Sequence, residues 1–173
     1  MSEEISKGAY SRKWGLIFGL VSAIVFIISS AARLNLGLGG TAVAWAIIIG
    51  FFILALKEFR ADNEGFISFG QGFSIAFMVA LIGGVIRSVV QYVYLMIDTE
   101  FMAWQKQIQE ETAAAFGAPS DQAQQVPGSM QSFMDFSQTP EFIAIVSVIM
   151  AIFGGLIFGA IVSAIMKNEA EEY

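Results

Sequence analysis

An arginine lies inside an apolar stretch of the sequence, and its chemistry needs an explanation. Arg87 occurs within ALIGGVIRSVVQYVY, residues 80–94. On a helix, Gln91, Tyr94 and Asp98 follow it on the same face, because residues three or four apart are neighbours there. A guanidinium carries five N–H donors that match carboxylates and phosphates. This polar stripe therefore predicts either a binding site for an anionic ligand or lipid headgroup, or a structural charge that extends toward water and holds the surrounding helices.

The residue types of the chain exclude most catalytic chemistry. There is no cysteine and no histidine, so thiol catalysis, zinc–thiolate sites and the Ser–His triad are excluded. The formal net charge of -6 leaves no basic face for nucleic acid. No pair of carboxylates at a useful spacing lies on one apolar segment. The sequence therefore predicts a protein that is not an enzyme and that holds no metal or cofactor.

The composition is that of a membrane protein. Mean hydropathy is +0.68, and only 14% of the 173 residues are charged, against about 25% in a soluble domain. A helix needs about 20 apolar residues to cross a bilayer. We predict an all-α polytopic protein, a single membrane domain over residues 1–173, with four transmembrane helices at about 14–34, 38–57, 69–97 and 141–166. The first apolar run exceeds the ~7–15 residues of a signal peptide core, which favours a retained helix.

Positive charges at the ends of these segments predict the orientation. The connections expected on one side carry Lys7, Arg12, Lys13, Lys57, Arg60 and Lys167, whereas those on the other side carry only Arg33 and Lys106. Because Lys and Arg accumulate on the cytoplasmic side, we predict an inner-membrane protein with both termini in the cytoplasm.

Residues 98–140 form the predicted periplasmic connection, an amphipathic helical loop. DTEFMAWQKQIQEETAAAF indicates a helix capped by Asp98 or Thr99, and SMQSFMDFS is a second amphipathic piece. Between them, residues 117–128 contain two prolines and two glycines, which predict a break. Thr139 followed by Pro140 is typical of a helix start, and Ser68 with Gln71 fits a capping box that opens the third span. We expect these pieces to lie on the membrane surface or to cover the bundle.

The position of Arg87 decides which charges could balance it. It lies roughly 16 Å of helix before Asp98, in the outer half of the membrane. No Asp or Glu occurs in the interior of a predicted span, which argues against proton- or cation-coupled transport. The counter-charge is therefore expected from lipid phosphate, from another chain, or from the outer loop through Asp98, Glu100, Asp135 or Glu141.

Small residues predict where the helices approach one another. The pattern GLIFG occurs at 15–19 and again at 155–159, and two adjacent glycines lie in the third span. Such small-xxx-small patterns let helix backbones pack closely. We predict helix packing at Gly15, Gly19, Gly83, Gly84, Gly155 and Gly159. The pattern does not say whether these contacts lie within one chain or between chains.

The stretch GFISFGQGFSIAFMVALIGGVIRSVVQYVYLMIDTEFM, residues 65–102, resembles an uncharacterised bacterial membrane family, domain of unknown function 4199, common in Bacteroidota. The matches are residues 65–73, Tyr92, Tyr94 and residues 98–101, with Thr99 where the family often has proline. The resemblance implies a four-helix inner-membrane protein of about this length. It implies no reaction and no catalytic residues.

Two functions follow from these features. The small-residue faces and the missing catalytic chemistry predict an accessory or scaffold subunit that acts through helix–helix contacts, as a homo-oligomer or with a membrane protein partner. The alternative is a small transporter, channel or lipid-binding protein that uses the polar stripe around Arg87. Both functions place the chain in contact with membrane lipid.

Overall fold

The computed structural model describes residues 6–35, 37–115 and 128–168. These residues form six α-helices: α1 (Lys7–Ala31), α2 (Gly37–Asp62), α3 (Phe69–Ile97), α4 (Thr99–Ala115), α5 (Gly128–Ser137) and α6 (Pro140–Met166). Four of them, α1, α2, α3 and α6, are long and apolar enough to cross a membrane. The predicted all-α fold with four such helices is therefore confirmed. Residues 116–127, which hold most of the predicted break, lie outside the described residues.

The four long helices define two ends of a bundle. At the terminal end, α1 and α3 begin while α2 and α6 finish; Ile67 and Asn168 form an antiparallel bridge there, with both N–H···O distances at 2.8 Å. At the loop end, α1 and α3 finish, and α4 and α5 follow α3 along the chain.

Local capping residues fix where three helices begin, as predicted. The Ser68 Oγ accepts a hydrogen bond from the Gln71 backbone N–H at 3.2 Å, and the Gln71 Oε1 accepts one from the Ser68 N–H at 2.9 Å. This reciprocal capping box opens α3. The Asp98 Oδ1 accepts from the Phe101 N–H at 3.1 Å and so caps α4. Thr139 caps α6, with Pro140 as its first residue.

Helix α3 lies at the centre of the bundle because small residues let α1 and α6 approach it. A Cβ atom added to Gly15 of α1 would lie 2.8 Å from the Cβ of Ile82, and one added to Gly84 would lie 2.3 Å from the Cβ of Ala151 on α6. The structure places all six predicted glycines at such contacts within this chain: Gly15, Gly19 and Gly83 between α1 and α3, and Gly84, Gly155 and Gly159 between α3 and α6.

Helix α2 packs against the other long helices through the half of α2 that lies nearest the terminal end. Phe52, Leu56 and Phe59 are almost completely buried there, together with Ile75 of α3. The first half of α2 is exposed and carries Trp45 on its surface. The main hydrophobic core therefore sits toward the terminal end. A smaller buried cluster at the loop end consists of Phe26, Leu95 and Phe101.

Candidate functional site

A cavity of about 320 Å³ lies at the loop end, between α1, α3 and α4. Arg87 and Gln91 of α3 form one wall. Arg87 lies ten residues before the last residue of α3, or roughly 15 Å along the helix axis. We call this space the Arg87 cavity.

The Arg87 guanidinium has no protein counter-charge within the described part of the chain. Its central carbon lies 5.5 Å from the centroid of the Phe26 ring, a cation–π contact. It makes no hydrogen bond or ion pair with another described residue. The expectation that Asp98 could balance it is wrong, because that carboxylate binds Arg33 instead. Glu141, another predicted source of charge, accepts a hydrogen bond from Tyr92 at 3.5 Å.

The polar walls of the cavity present hydrogen-bond donors. The Ser147 hydroxyl of α6 donates to the Gln91 Oε1 at 2.8 Å, and this leaves the two Nε2–H donors of Gln91 for the cavity. Asn35 and Gln105 add further amides. The described residues that line the cavity include no Asp or Glu. The site is therefore rich in donors and carries positive charge without an acid to neutralise it.

Apart from Ser29 and Ser30 of α1, the remaining lining is apolar and comes from α1, the turn after it, and α4. It consists of Phe26, Leu34, Phe101, Trp104 and Ile108. Phe101 is almost completely buried, and its ring lies edge-on to Phe26 with centroids 6.2 Å apart. The apolar side of α4, which was predicted as an amphipathic helix, thus covers the loop end of the bundle. A ligand here would place an anionic group at Arg87 and an apolar part along these rings.

A second charged cluster, the Asp98 hub, holds α4 over the cavity. Both Arg33 Nη atoms donate to the Asp98 carboxylate at 2.8 Å, in a bidentate pair. The Tyr94 hydroxyl donates to the same carboxylate at 2.8 Å, and the Phe101 backbone N–H does so at 3.1 Å. The guanidinium of Arg33 also lies 5.3 Å from the Phe101 ring centroid. The predicted stripe is thus divided: Arg87 and Gln91 line the cavity, whereas Tyr94 and Asp98 belong to the hub.

Arg33 reaches the hub from an unusual backbone position. Its φ is +51°, in the left-handed region that glycine usually occupies at the end of a helix. The Leu34 N–H donates to the Ser29 carbonyl at 3.0 Å, which completes the helix-ending motif of α1. We attribute the arginine at this position to its ion pair, which a glycine could not make.

A comparison with known families finds a match over most of the chain. A family model described as a protein of unknown function (DUF4199) matches residues 13–168. The chain belongs to the DUF4199 family. This match confirms the family that the stretch at 65–102 resembles, while the Bacteroidota source stays a prediction. No curated protein and no solved structure matches the chain. The role of this DUF4199 protein must therefore be argued from its geometry.

The pairing of Arg33 with Asp98 was missed in the sequence, although a signal existed. Arg33 follows the first predicted span and Asp98 follows the third. In a bundle whose spans alternate in direction, the ends of the first and third spans lie on the same side. Since opposite charges at one end of neighbouring helices attract, the pair could have been proposed from topology alone.

Acid should release α4 from the bundle. The two hydrogen bonds from Arg33, then the one from Tyr94, lower the pKa of the Asp98 carboxyl to about 2. An unfolded aspartate titrates at about 3.9. Because the folded pKa is the lower one, the stabilisation is complete above about pH 4 and is lost as the pH falls toward 2. We expect the fluorescence of Trp104, isolated by subtracting a W104F variant, to change across this range.

The matched variants are D98N and E100Q, which each remove one negative charge near the start of α4. We expect D98N to show the detached signal already at pH 7 and to lose the acid transition, whereas E100Q keeps it. An identical acid profile in D98N and the wild type would contradict the role given to Asp98.

Proposed function

We propose that this DUF4199 protein is a non-enzymatic, multi-pass protein of the bacterial inner membrane that binds a small organic oxyanion in the Arg87 cavity. The oxyanion is a carboxylate or a phosphate with a short apolar body, and it enters from the loop end. By the distribution of Lys and Arg, that end faces the periplasm and the termini face the cytoplasm. The observation that carries the proposal is an arginine without a counter-charge in a donor-rich cavity.

The charge of Arg87 has an energetic cost that a bound anion would offset. An arginine within the membrane is costly, at about 2.5–3.5 kcal/mol near the bilayer centre, and such charges usually face a partner or a water-filled space. Arg87 faces a cavity and has no acidic partner among the described residues. An oxyanion would supply the missing charge, and the planar guanidinium would bind it through two parallel hydrogen bonds.

The size and the walls of the cavity restrict the ligand. A volume of about 320 Å³ lies at the low end of the ~300–1,000 Å³ typical of ligand pockets, so a whole phospholipid does not fit inside. The rings of Phe26, Phe101 and Trp104 favour an apolar body beside the anionic group. The same chemistry could come from a soluble organic acid or from the headgroup of a lipid that reaches in from the membrane, and the experiment must separate these sources.

Calorimetry on the protein in a non-ionic detergent tests the proposal. We expect hexyl phosphate and hexanoate to bind, whereas hexanol, which has the same chain without the charge, does not. Titration in nanodiscs then identifies the source. If a lipid headgroup occupies the site, phosphatidylglycerol nanodiscs reduce the hexyl phosphate affinity relative to phosphatidylcholine nanodiscs; equal affinities indicate a soluble acid.

Variants at two cations of the loop end sharpen this test. R87Q should weaken hexyl phosphate binding by about 100-fold, because it removes two charge-assisted hydrogen bonds. R87K keeps the charge but not the planar fork, and should fall between R87Q and the wild type. K106Q removes an equal charge from the exposed surface of α4 and should bind like the wild type. Absence of binding by both hexyl anions, or equal binding in R87Q, would overturn the proposal.

The predicted scaffold role receives no comparable support. The glycines that suggested it make their close contacts within this chain, so they are not free to bind a partner helix. A homo-oligomer or a membrane protein partner would have to use another surface. Both stay predictions, and we place ligand binding ahead of them.

A further inference from the structure

A second cavity lies between α2 and α6 near the terminal end, far from Arg87. Its volume is about 500 Å³. Ile49 and Ile53 line it from α2, and Phe158 and Ile161 line it from α6. Lys57 and Arg60, on the same face of α2, lie at its end. We call this space the α2–α6 groove.

The length of the groove matches one leaflet of a bilayer. Ile49 and Lys57 are two turns apart on α2, or roughly 12 Å along the axis, and half of the hydrocarbon core is roughly 15 Å. Beyond Ile49, toward the loop end, Trp45 packs on Phe158 with ring centroids 5.7 Å apart. The length of the apolar part of the groove is therefore similar to the thickness of the acyl-chain layer in one leaflet. Lys57 and Arg60 then lie at the level of the headgroups.

The charges at the end of the groove are available to a ligand. Lys57 is exposed and makes no hydrogen bond within the described part of the chain. The Arg60 Nε donates to the Gly65 carbonyl at 2.8 Å, which leaves its Nη groups without a partner among described residues. The acids of this helix are turned toward α1, where Glu58 binds Lys13 and Trp14, and Asp62 accepts from Tyr10.

We propose that the α2–α6 groove binds one anionic phospholipid of the leaflet at the terminal end. One acyl chain fills the apolar part between Ile53 and Ile161, and the phosphate lies between Lys57 and Arg60. The apolar walls require a chain there, since a void beside lipid forfeits the dispersion contacts of its lining. The two cations select the headgroup, because each Lys or Arg near the surface favours an anionic lipid about fivefold.

This lipid would also link two helices. The first half of α2 is exposed, and the groove lies between the second half of α2 and α6, beside the main core. A bound chain would contact both helices and so link them. The site is independent of the Arg87 cavity, because it lies at the other end and uses different residues.

Native mass spectrometry of the purified chain, with lipids added in a non-ionic detergent, tests the proposal. We expect one tightly bound dioleoylphosphatidylglycerol, preferred at least fivefold over dioleoylphosphatidylcholine, which has the same chains. Glycerol phosphate, which lacks acyl chains, should not displace it. Displacement by glycerol phosphate would assign the site to free anions and overturn the proposal, as would equal binding of the two lipids.

Four variants separate the parts of the site. K57Q should reduce the preference for phosphatidylglycerol about fivefold, whereas K7Q, an equal charge change at the same end on α1, should leave it unchanged. R60K keeps the charge and should keep the preference. I161W places a bulky ring in the groove and should lower the occupancy of both lipids. In R87Q, the lipid whose binding depends on Lys57 and Ile161 should stay bound, whatever occupies the Arg87 cavity. This test can therefore fail while the Arg87 proposal stands, and the Arg87 test can fail while this proposal stands.

Discussion

Replacing Gly155 by alanine is expected to destabilise the protein by about 2 kcal/mol, whereas the same change at the adjacent Gly154 should be neutral or slightly stabilising. A Cβ at Gly155 would lie 2.7 Å from the Cβ of Ala80, closer than non-bonded carbon atoms approach in proteins. A Cβ at Gly154 would lie 3.8 Å from its nearest neighbour, the Cδ1 of Ile48. The two variants therefore have the same chemistry and differ only in the contact between α3 and α6.

A size exchange at the same interface checks this interpretation. At Gly84, an added Cβ would lie 2.3 Å from the Cβ of Ala151, so G84A should be at least as destabilising as G155A. Adding A151G moves the methyl group from α6 to α3 and should recover most of the lost stability. The measurement is the free energy of unfolding in mixed detergent micelles. Equal effects of G154A and G155A, or no recovery in the double variant, would contradict the close packing of α3 and α6.

Most of the fold could be predicted because its causes are local. Long apolar segments predict the four helices that can cross a membrane, since the bilayer fixes their length. Ser68 with Gln71, and Thr139 with Pro140, predict helix starts because a cap needs only residues within one turn. Helix α1 nevertheless begins at Lys7, earlier than the predicted 14, because a helix continues beyond its apolar part.

The partners of the polar residues could not be predicted in the same way. Spacing placed Arg87, Gln91, Tyr94 and Asp98 on one face of α3, but it could not say which neighbouring helix each would meet. In the structure, the Asp98 carboxylate forms an ion pair with Arg33, and Arg87 lines a cavity. The cavity has walls from three helices, so it has no signature in any one segment.

The arginines at the loop end should respond in opposite directions to removal of their charge. R87M is expected to raise the melting temperature in detergent and the free energy of unfolding by about 1 kcal/mol. The variant removes a costly charge and loses only the contact with the Phe26 ring. R33M should lower the melting temperature, because it leaves the Asp98 carboxylate without its ion pair. The Arg87 guanidinium lies 5.5 Å from the Phe26 ring, whereas that of Arg33 lies 5.3 Å from the Phe101 ring and 6.0 Å from the Trp104 ring. R33M therefore also loses one more cation–π contact than R87M. Functional sites typically contain binding residues that lower the stability of the protein when no ligand is bound. A melting temperature of R87M below that of the wild type would show that Arg87 stabilises the fold, and would contradict its role as a binding residue in the cavity.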